Sequence, residues 1–323
     1  MNASISVVIL DHHEAECENP YAIIINNQTS DYPNKYFSGV GIVWQFCRYV
    51  DDMLSANYAD GYIDLVALGN CADMMSLHEY ETKAIIKEGF LKKNIKNPFI
   101  VYMSDKNSYS LYKNNSEITP MGAAFYIIPL VNAITRSGKI KKKNIVFSSM
   151  LKHKAFEKIL SNKRGHKEGE MEQLVLQAMR VCTNVKNRQT REEIKGLEFI
   201  EHMIEDKSLM DNQVLLFCLE DGTEVPSTIR GLVANKIMAK YQRPCCILTK
   251  VLPKDYEDMD PESVAMETSF QGSARGCDKV DVTEFKDICS NTGYTSFVAG
   301  HQGAFGLGIY AENLHGFIEK TNE

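Results

Sequence analysis

From Arg180 to Lys207 the chain contains no proline and a single glycine, and it carries charges of both signs throughout. Such a stretch has nothing to break a helix. With Glu168 to Met179 ahead of it, the pattern predicts one helix of about 40 residues, about 60 Å long at 1.5 Å per residue. A helix of that length in a globular protein bridges domains. The 323 residues suffice for two cores, one on each side of it.

The flanking patterns differ. Ile5 to Leu10 is a nearly continuous apolar run, the mark of a buried parallel strand. A polar, Asn-rich loop follows from Glu14 to Phe37, with a short strand candidate at Ala22 to Ile25. Ser38 is placed to cap a helix carrying Val40, Val43, Trp44, Cys47 and Val50 on one side. Helical stretches follow at Ile63 to Leu68, ending near Gly69, and at Leu77 to Leu91. Beyond the long helix, Val214 to Leu219 and Pro244 to Leu248 read as strands around a helix at Ile229 to Lys240. A strand at Val264 to Phe270, a helix at Val282 to Cys289 and a strand at Phe305 to Tyr310 complete the pattern. The fold class is α/β. It comprises a partial parallel-sheet domain (1–135), a linker with the long helix (136–210) and a smaller α/β domain (211–323).

Composition excludes some classes. The chain is 44% hydrophobic and 24% charged, and no apolar run reaches the roughly 18 residues of a membrane span. The longest, Ala123 to Val131, is interrupted by Pro129. The first residues lack the basic-then-apolar layout expected of a signal peptide. Nine scattered cysteines without a paired CxxC point away from structural zinc and towards reduced thiols in a cytoplasm. A net charge of −6 argues against a general polycation coat, yet local basic patches exist. They are Lys139 to Lys143, and a second stretch with Lys152, Lys154, Lys158, Lys163, Arg164 and Lys167. Each is either a nucleic-acid contact or a solvated helix face.

Four constellations carry chemistry. The strand ending at Leu10 runs into Asp11, His12 and His13, groups suited to Mn²⁺, Fe²⁺ or Zn²⁺. Adjacent residues on an extended chain point to opposite sides, so one imidazole can bind metal while the other faces a phosphate. Asp73 follows a helix and a glycine exit, where a ligand can return to a strand-end site, whereas Asp64 reads as a helix-face or structural acid. Gly300-His301 sits among three glycines that permit close backbone approach. Ser273 and Arg275, two apart after a strand, can clamp a phosphate with a hydroxyl and a guanidinium fork. Each alone also has a structural reading as a surface pair, a loop acid or a glycine turn.

Together these segments resemble the DHH phosphoesterase superfamily, and within it the RecJ-like single-strand-specific exonucleases. The resemblance runs in order from residue 5 to about 315. It takes in Asp11-His12-His13, Asn19-Pro20, Ser38 to Gly41, Asp64 to Asp73, and Pro129 to Ala133 with Arg136. Asn187 to Gln189, Gly231 to Ala234, Tyr241 to Pro244, Gly272 to Arg275 and Gly300-His301 complete it. It implies that His12 and Asp73 bind a divalent metal, Mn²⁺ or Mg²⁺. It implies that His13 contacts the scissile phosphate and Asp11 supports the pair. Arg136, Ser273, Arg275 and Gly300 would hold substrate phosphate, and His301 would complete the site from the second domain. The implied reaction is two-metal, 5′-to-3′ hydrolysis of single-stranded DNA in recombination, repair or phage replication, with no membrane involved.

The chain also departs from the pattern. The family carries an Asp-x-Asp motif and another aspartate on strands before the Asp-His-His strand, and only ten residues precede Asp11. Gly276 stands where a serine is usual, and Gly303 to Phe305 replaces a double alanine. Three expectations follow: a piece of a larger enzyme, a chain completed by a polypeptide supplying the missing N-terminal strands, or a non-catalytic remnant that binds nucleic acid or a partner. A phosphodiesterase of short oligonucleotides or cyclic dinucleotides is the alternative enzyme.

Overall fold

The computed structural model describes residues 6–13, 19–114, 116–206, 209–277 and 284–322, in two units that divide between Lys186 and Asn187. The expected strand start at Ile5 and helix start at Val282 lie outside the described residues.

In the first unit, β1 (Val8–Asp11) and β2 (Ile23–Asn26) pair in parallel, Val8 opposite Ile23 and Asp11 opposite Asn26. Leu10 and Ile25 pack against Phe37, Ile42, Trp44 and Val66, which come from the following loop, α1 (Gly39–Leu54) and α2 (Ile63–Ala72). The strand is not fully buried as its apolar run suggested, since Val8 is 48% exposed and Ile23 63%.

Two readings of these helices are corrected. On α1 the buried residues are Gly41, Ile42 and Trp44, while Val43 and Cys47 are exposed. Trp44 Nε1 donates to the Ala59 carbonyl at 3.0 Å, and Gly41 lies against the Phe37 ring; together they set the rotation of the helix. Gly69 does not end α2. A Cβ there would lie 2.2 Å from Val40 Cγ1, so this glycine lets α1 and α2 approach, and the helix continues to Ala72.

After α3 (Tyr80–Gly89) come α4 (Pro98–Lys106), α5 (Ser108–Leu111) and a two-residue hairpin of β3 (Tyr112–Lys113) and β4 (Glu117–Ile118). The apolar run around Pro129 becomes two helices, α6 (Pro120–Tyr126) and α7 (Ile128–Ser137), each with proline in its first turn, where a missing N–H costs nothing. Then comes α8 (Ile140–Met150). Phe90, Phe99, Met103, Ile127 and Ile134 form the core beneath these helices. Asp64, expected to be structural, is buried and accepts from the backbone N–H groups of Leu65, Lys96 and Asn97 at 2.7–2.8 Å.

The long helix is α9 (Leu174–Asp206), 33 residues rather than about 40. Its expected first turns are instead a hairpin, β5 (Lys158–Leu160) against β6 (Met171–Gln173). Glu172 on β6 accepts from Arg180 at 2.5 Å and from Gln177 at 3.1 Å, so α9 is tied back onto the strand that leads into it. Ala178, Cys182 and Val185 of α9 enter the core of the first unit, and Ile200 and Ile204 enter that of the second.

The second unit is a five-stranded mixed sheet in the order β10-β11-β9-β8-β7. Its strands are β7 (Leu215–Leu219), β8 (Cys245–Val251), β9 (Ser269–Arg275), β10 (Thr295–His301) and β11 (Ala304–Tyr310). α10 (Arg230–Tyr241) joins the parallel pair β7 and β8, and its Val233 and Ile237 pack on Phe217 and Ile247. On the other face α12 (Phe285–Asn291) and α13 (Leu314–Asn322) cover Cys246, Leu248 and Leu307. The expected strand at Val264 is corrected. Asp260 accepts from the N–H groups of Glu262 and Ser263 and Pro261 takes the first turn, so Pro261–Glu267 is helix α11 and β9 begins only at Ser269. Among the described residues no helix is long and apolar enough to cross a membrane.

Two predictions follow from these contacts. A Cβ on Gly272 would lie 2.0 Å from the Ile247 carbonyl oxygen in the middle of the sheet. Gly272→Ala is therefore expected to destabilise by about 3 kcal/mol, read as a lowered midpoint in denaturant. The Arg180 hydrogen bond holds the Glu172 carboxyl at about 2, down from 4.5. A depressed carboxylate contributes stability above its unfolded value and loses it as pH falls towards the folded one. The melting temperature should drop between about pH 4.5 and pH 2, and Arg180→Gln should flatten that portion of the profile.

Candidate active site

β1 ends at Asp11, and the backbone bends at His13. The cause is local. Asp11 Oδ1 accepts from its neighbour's backbone, His12 N, at 2.8 Å, and meets His13 Nδ1 at 2.7 Å. The bend defeats the strand alternation that would separate the two imidazoles. Their ring centroids are 4.3 Å apart, and the ligand atoms of Asp11, His12 and His13 all lie within 4.8 Å of one another. The His13 hydrogen bond, with backbone N–H donors behind it, holds the Asp11 carboxyl below its usual range. Asn26, directly across on β2, donates from Nδ2 to the His13 carbonyl at 2.8 Å. The parallel register thereby fixes the chain on both sides of the cluster.

Asp73 caps α2 and brings a second carboxylate to the same place, its Oδ2 4.0 Å from His12 Nε2. Behind it, buried Asn70 on α2 accepts from both the backbone N and the Oγ of Ser38 through Oδ1. Ser38 therefore starts α1 by tying it to α2, without a side-chain cap bond. A Cβ on Gly39 would lie 3.5 Å from His12 Cδ2, so the first turn of α1 backs the imidazole.

This donor set fits a divalent ion. Two donors each about 2.1 Å from one metal sit no more than about 4.2 Å apart, a spacing His12 and Asp73 satisfy. Mixed imidazole and carboxylate ligation suits Mn²⁺, Fe²⁺ or Zn²⁺. Asp11 acts behind His13 as the carboxylate that fixes a ring's tautomer and orientation.

In the second unit the sheet register assembles another group. Ala304 on β11 pairs with Arg275 on β9 and with His301 on β10, so the three share one level and one face of the sheet. Strands about 4.8 Å apart put the backbones of Arg275 and His301 about 10 Å apart, with only an alanine methyl between them. Ser273, two residues before Arg275, lies on the same face and pairs with Gly306. The face is that of α10: a Cβ on Gly231 would lie 2.3 Å from an Arg275 guanidinium nitrogen and 3.7 Å from Ser273 Oγ. Gly300 has φ +132°, and a Cβ there would lie 2.8 Å from the Ala304 carbonyl oxygen. A hydroxyl, a guanidinium and an exposed imidazole thus share one face of the sheet over small residues, the first two beside the N-terminus of α10. An anion suits that arrangement.

Asp11, His12, His13 and Asp73 gather in the first unit, and Ser273, Arg275, Gly300 and His301 in the second. Arg136 sits exposed in the last turn of α7, and among the described residues no hydrogen bond or ion pair joins it to the Asp11 cluster. Sequence reasoning missed Asn26, Asn70 and Arg230. Asn26 was detectable as the first polar residue after a β-branched run. Arg230, which donates to the Gln271 carbonyl at 3.2 Å next to the Ser273 strand, gave no signal.

No profile of a known protein family matches the chain. Individual relatives do. Over 310 residues the chain is 34% identical to a Bacillus subtilis (strain 168) protein provisionally named SPbeta prophage-derived single-strand DNA-specific exonuclease YorK, covering 95% of this chain and 50% of that one. The corresponding protein of Bacillus phage SPbeta matches equally. The single-stranded-DNA-specific exonuclease RecJ of Bacillus subtilis is 25% identical over 323 residues, 99% of this chain and 35% of its own. Among solved structures, RecJ from Thermus thermophilus in complex with Mn²⁺ superposes with a TM-score of 0.68 at 16% identity, over 98% of this chain and 41% of that one. An exonuclease RecJ bound to manganese gives 0.62 at 17% identity, over 98% and 68%. The chain spans about half the length or less of the curated relatives it matches. The chain is RecJ-like: it is similar in sequence to single-strand-specific exonucleases over part of their length, and it shares the fold of the RecJ structures.

The geometry predicts the effect of removing one ring. His13→Ala deletes the largest cause of the Asp11 shift. The Asp11 carboxyl should then titrate closer to 3.8, measured by carboxyl carbon NMR. An unmoved titration would show that the backbone donors alone hold it.

Proposed function

We propose that this chain forms part of a metal-dependent exonuclease that hydrolyses phosphodiester bonds of single-stranded DNA in the 5′-to-3′ direction, in the cytoplasm of a bacterial or phage-infected cell. The observation that carries the reading is the gathering of Asp11, His12, His13 and Asp73 within a few ångströms, in a chain related to single-strand-specific exonucleases. His12 and Asp73 are the residues that would hold Mn²⁺ or Mg²⁺. The bound ion supplies positive charge beside the attacked phosphate. Asp11 keeps Nδ1 of His13 engaged, so the ring meets a phosphate oxygen through Nε2, as donor when protonated. Arg136, Ser273, Arg275, the Gly300 backbone and His301 are assigned to substrate phosphate. A polypeptide supplying further strands and carboxylates beside β1 is part of this proposal, because His12 and Asp73 are two ligands where a closed site uses more.

The test is release of mononucleotides from end-labelled single strands with Mn²⁺, by this chain alone and together with a segment supplying the additional strands. His13→Ala and Asp73→Asn are each expected to reduce turnover by about 100-fold or more. Label at the 5′ end should leave as mononucleotide before label at the 3′ end. Equal turnover in the variants would overturn the assignment. A preference for dinucleotides over long strands would identify a short-oligonucleotide phosphodiesterase instead.

A further inference from the structure

Between Glu117 and Glu157 the chain holds no aspartate or glutamate, although acids exceed bases in the protein as a whole. The same interval holds Arg136, Lys139, Lys141, Lys142, Lys143, Lys152 and Lys154. It spans α6, α7, α8 and the turn beyond. Among the described residues none of the bases from Arg136 to Lys143 makes an ion pair.

Basic composition alone would describe a solvated helix face. The apolar residues argue otherwise. On α8, Val146 and Ser149 are buried, which turns the opposite side outward. At helical spacing that outward side carries Ile140, Asn144 and Phe147, flanked by Lys141 and Lys143. Ile140 is 72% exposed and Phe147 65%. The face thus joins cations without ion pairs to an exposed aromatic ring, the two groups by which proteins hold a single strand. Near the end of the same tract, Phe156 is 51% exposed against Tyr102, with ring centroids 6.4 Å apart.

We infer that the outward face of α8 is a binding track for single-stranded nucleic acid, built from residues other than those of the Asp11 cluster and the Ser273–Arg275 face. Lys141 and Lys143 meet successive phosphates, and Phe147 takes the face of a base. Unpaired lysines attract a polyanion, and an exposed ring stacks on any base without reading sequence. A duplex keeps its bases stacked inside and offers Phe147 nothing, so the combination selects a single strand over a duplex of equal charge. The proposal rests on the nuclease reading for its biological sense but not for its test.

Fluorescence anisotropy of the full chain with a labelled oligo-dT, in EDTA so that no hydrolysis occurs, tests it. Phe147→Ala should weaken binding about tenfold. Lys141→Gln with Lys143→Gln should lower the slope of log Kd against log salt by about 1.4, two phosphates at about 0.7 each. Phe147→Leu should recover little, because it restores bulk without an aromatic face. Phe147 lies outside the core, so the variants should melt as wild type, and the melting curve is recorded with each. Unchanged affinity in folded variants overturns the inference. So does equal binding of duplex with the same insensitivity to Phe147, which would mark a general polyanion surface. Phe147-dependent binding to anionic phosphatidylserine vesicles with no oligonucleotide binding would overturn it too and assign the face to membrane. Loss of Mn²⁺-stimulated hydrolysis with the track intact would sink the nuclease reading alone.

Discussion

The Asp11 carboxylate is the interaction on which the strand-end cluster depends. One oxygen meets the backbone of His12 and the ring of His13, and this bends the chain where a continuing strand would have sent two imidazoles to opposite faces. The bend is tolerated because the strand is anchored behind it: β1 is held in register by β2, and Asn26 reaches over to the His13 carbonyl. Leu10 and Ile25 fasten that pair to α1 and α2. The second of these helices delivers Asp73 and Asn70. Removing the carboxylate would therefore release a ring orientation and a backbone path together.

The second unit reaches its site by a different route. The antiparallel register gathers Ser273, Arg275 and His301 on one face of the sheet by lining up three strands at Ala304, and it sets Ser273 and Arg275 against α10. Small residues are what make this usable. Gly231 leaves room for the guanidinium, Gly272 lets β9 lie against the Ile247 carbonyl, and Gly300 adopts a backbone conformation other residues resist. The glycines in Gly-Ser-Ala-Arg and Gly-His are thus steric requirements of the sheet as well as openings for a ligand.

These differences explain what the sequence revealed. Strands and helices of strong period, such as β7, α10 and β8, fall within a few residues of where the pattern put them. So did the role of Asp64, whose neighbours leave a buried acid no use but to accept backbone N–H groups. Failures arose where a distant partner decided. The face of α1 follows Trp44 finding the Ala59 carbonyl, and Gly69 reads as a helix stop until Val40 is seen beside it. Met171–Gln173 has helical composition, but pairing with Lys158–Leu160 makes it a strand. The Asp-His-His spacing was legible, whereas the bend that brings its rings together needed the side-chain hydrogen bond.

Charge sets a further constraint on how such a site works. The cluster at β1 holds two carboxylates and two imidazoles, so without an ion it offers a polyanion little attraction. Affinity for phosphates in a single strand is carried chiefly by cations, and the cluster itself contains no lysine or arginine; the cations are Arg275 on β9, Arg136 at the end of α7, and the acid-free tract through α8. Separating grip from chemistry has a mechanical consequence. A strand held by stacking and point charges, which do not depend on sequence, can shift by one nucleotide at little cost, whereas one held through the reacting phosphate cannot. The proposed exonuclease activity would need the first kind of hold, and on the inferred α8 track an exposed ring beside lysines would supply it.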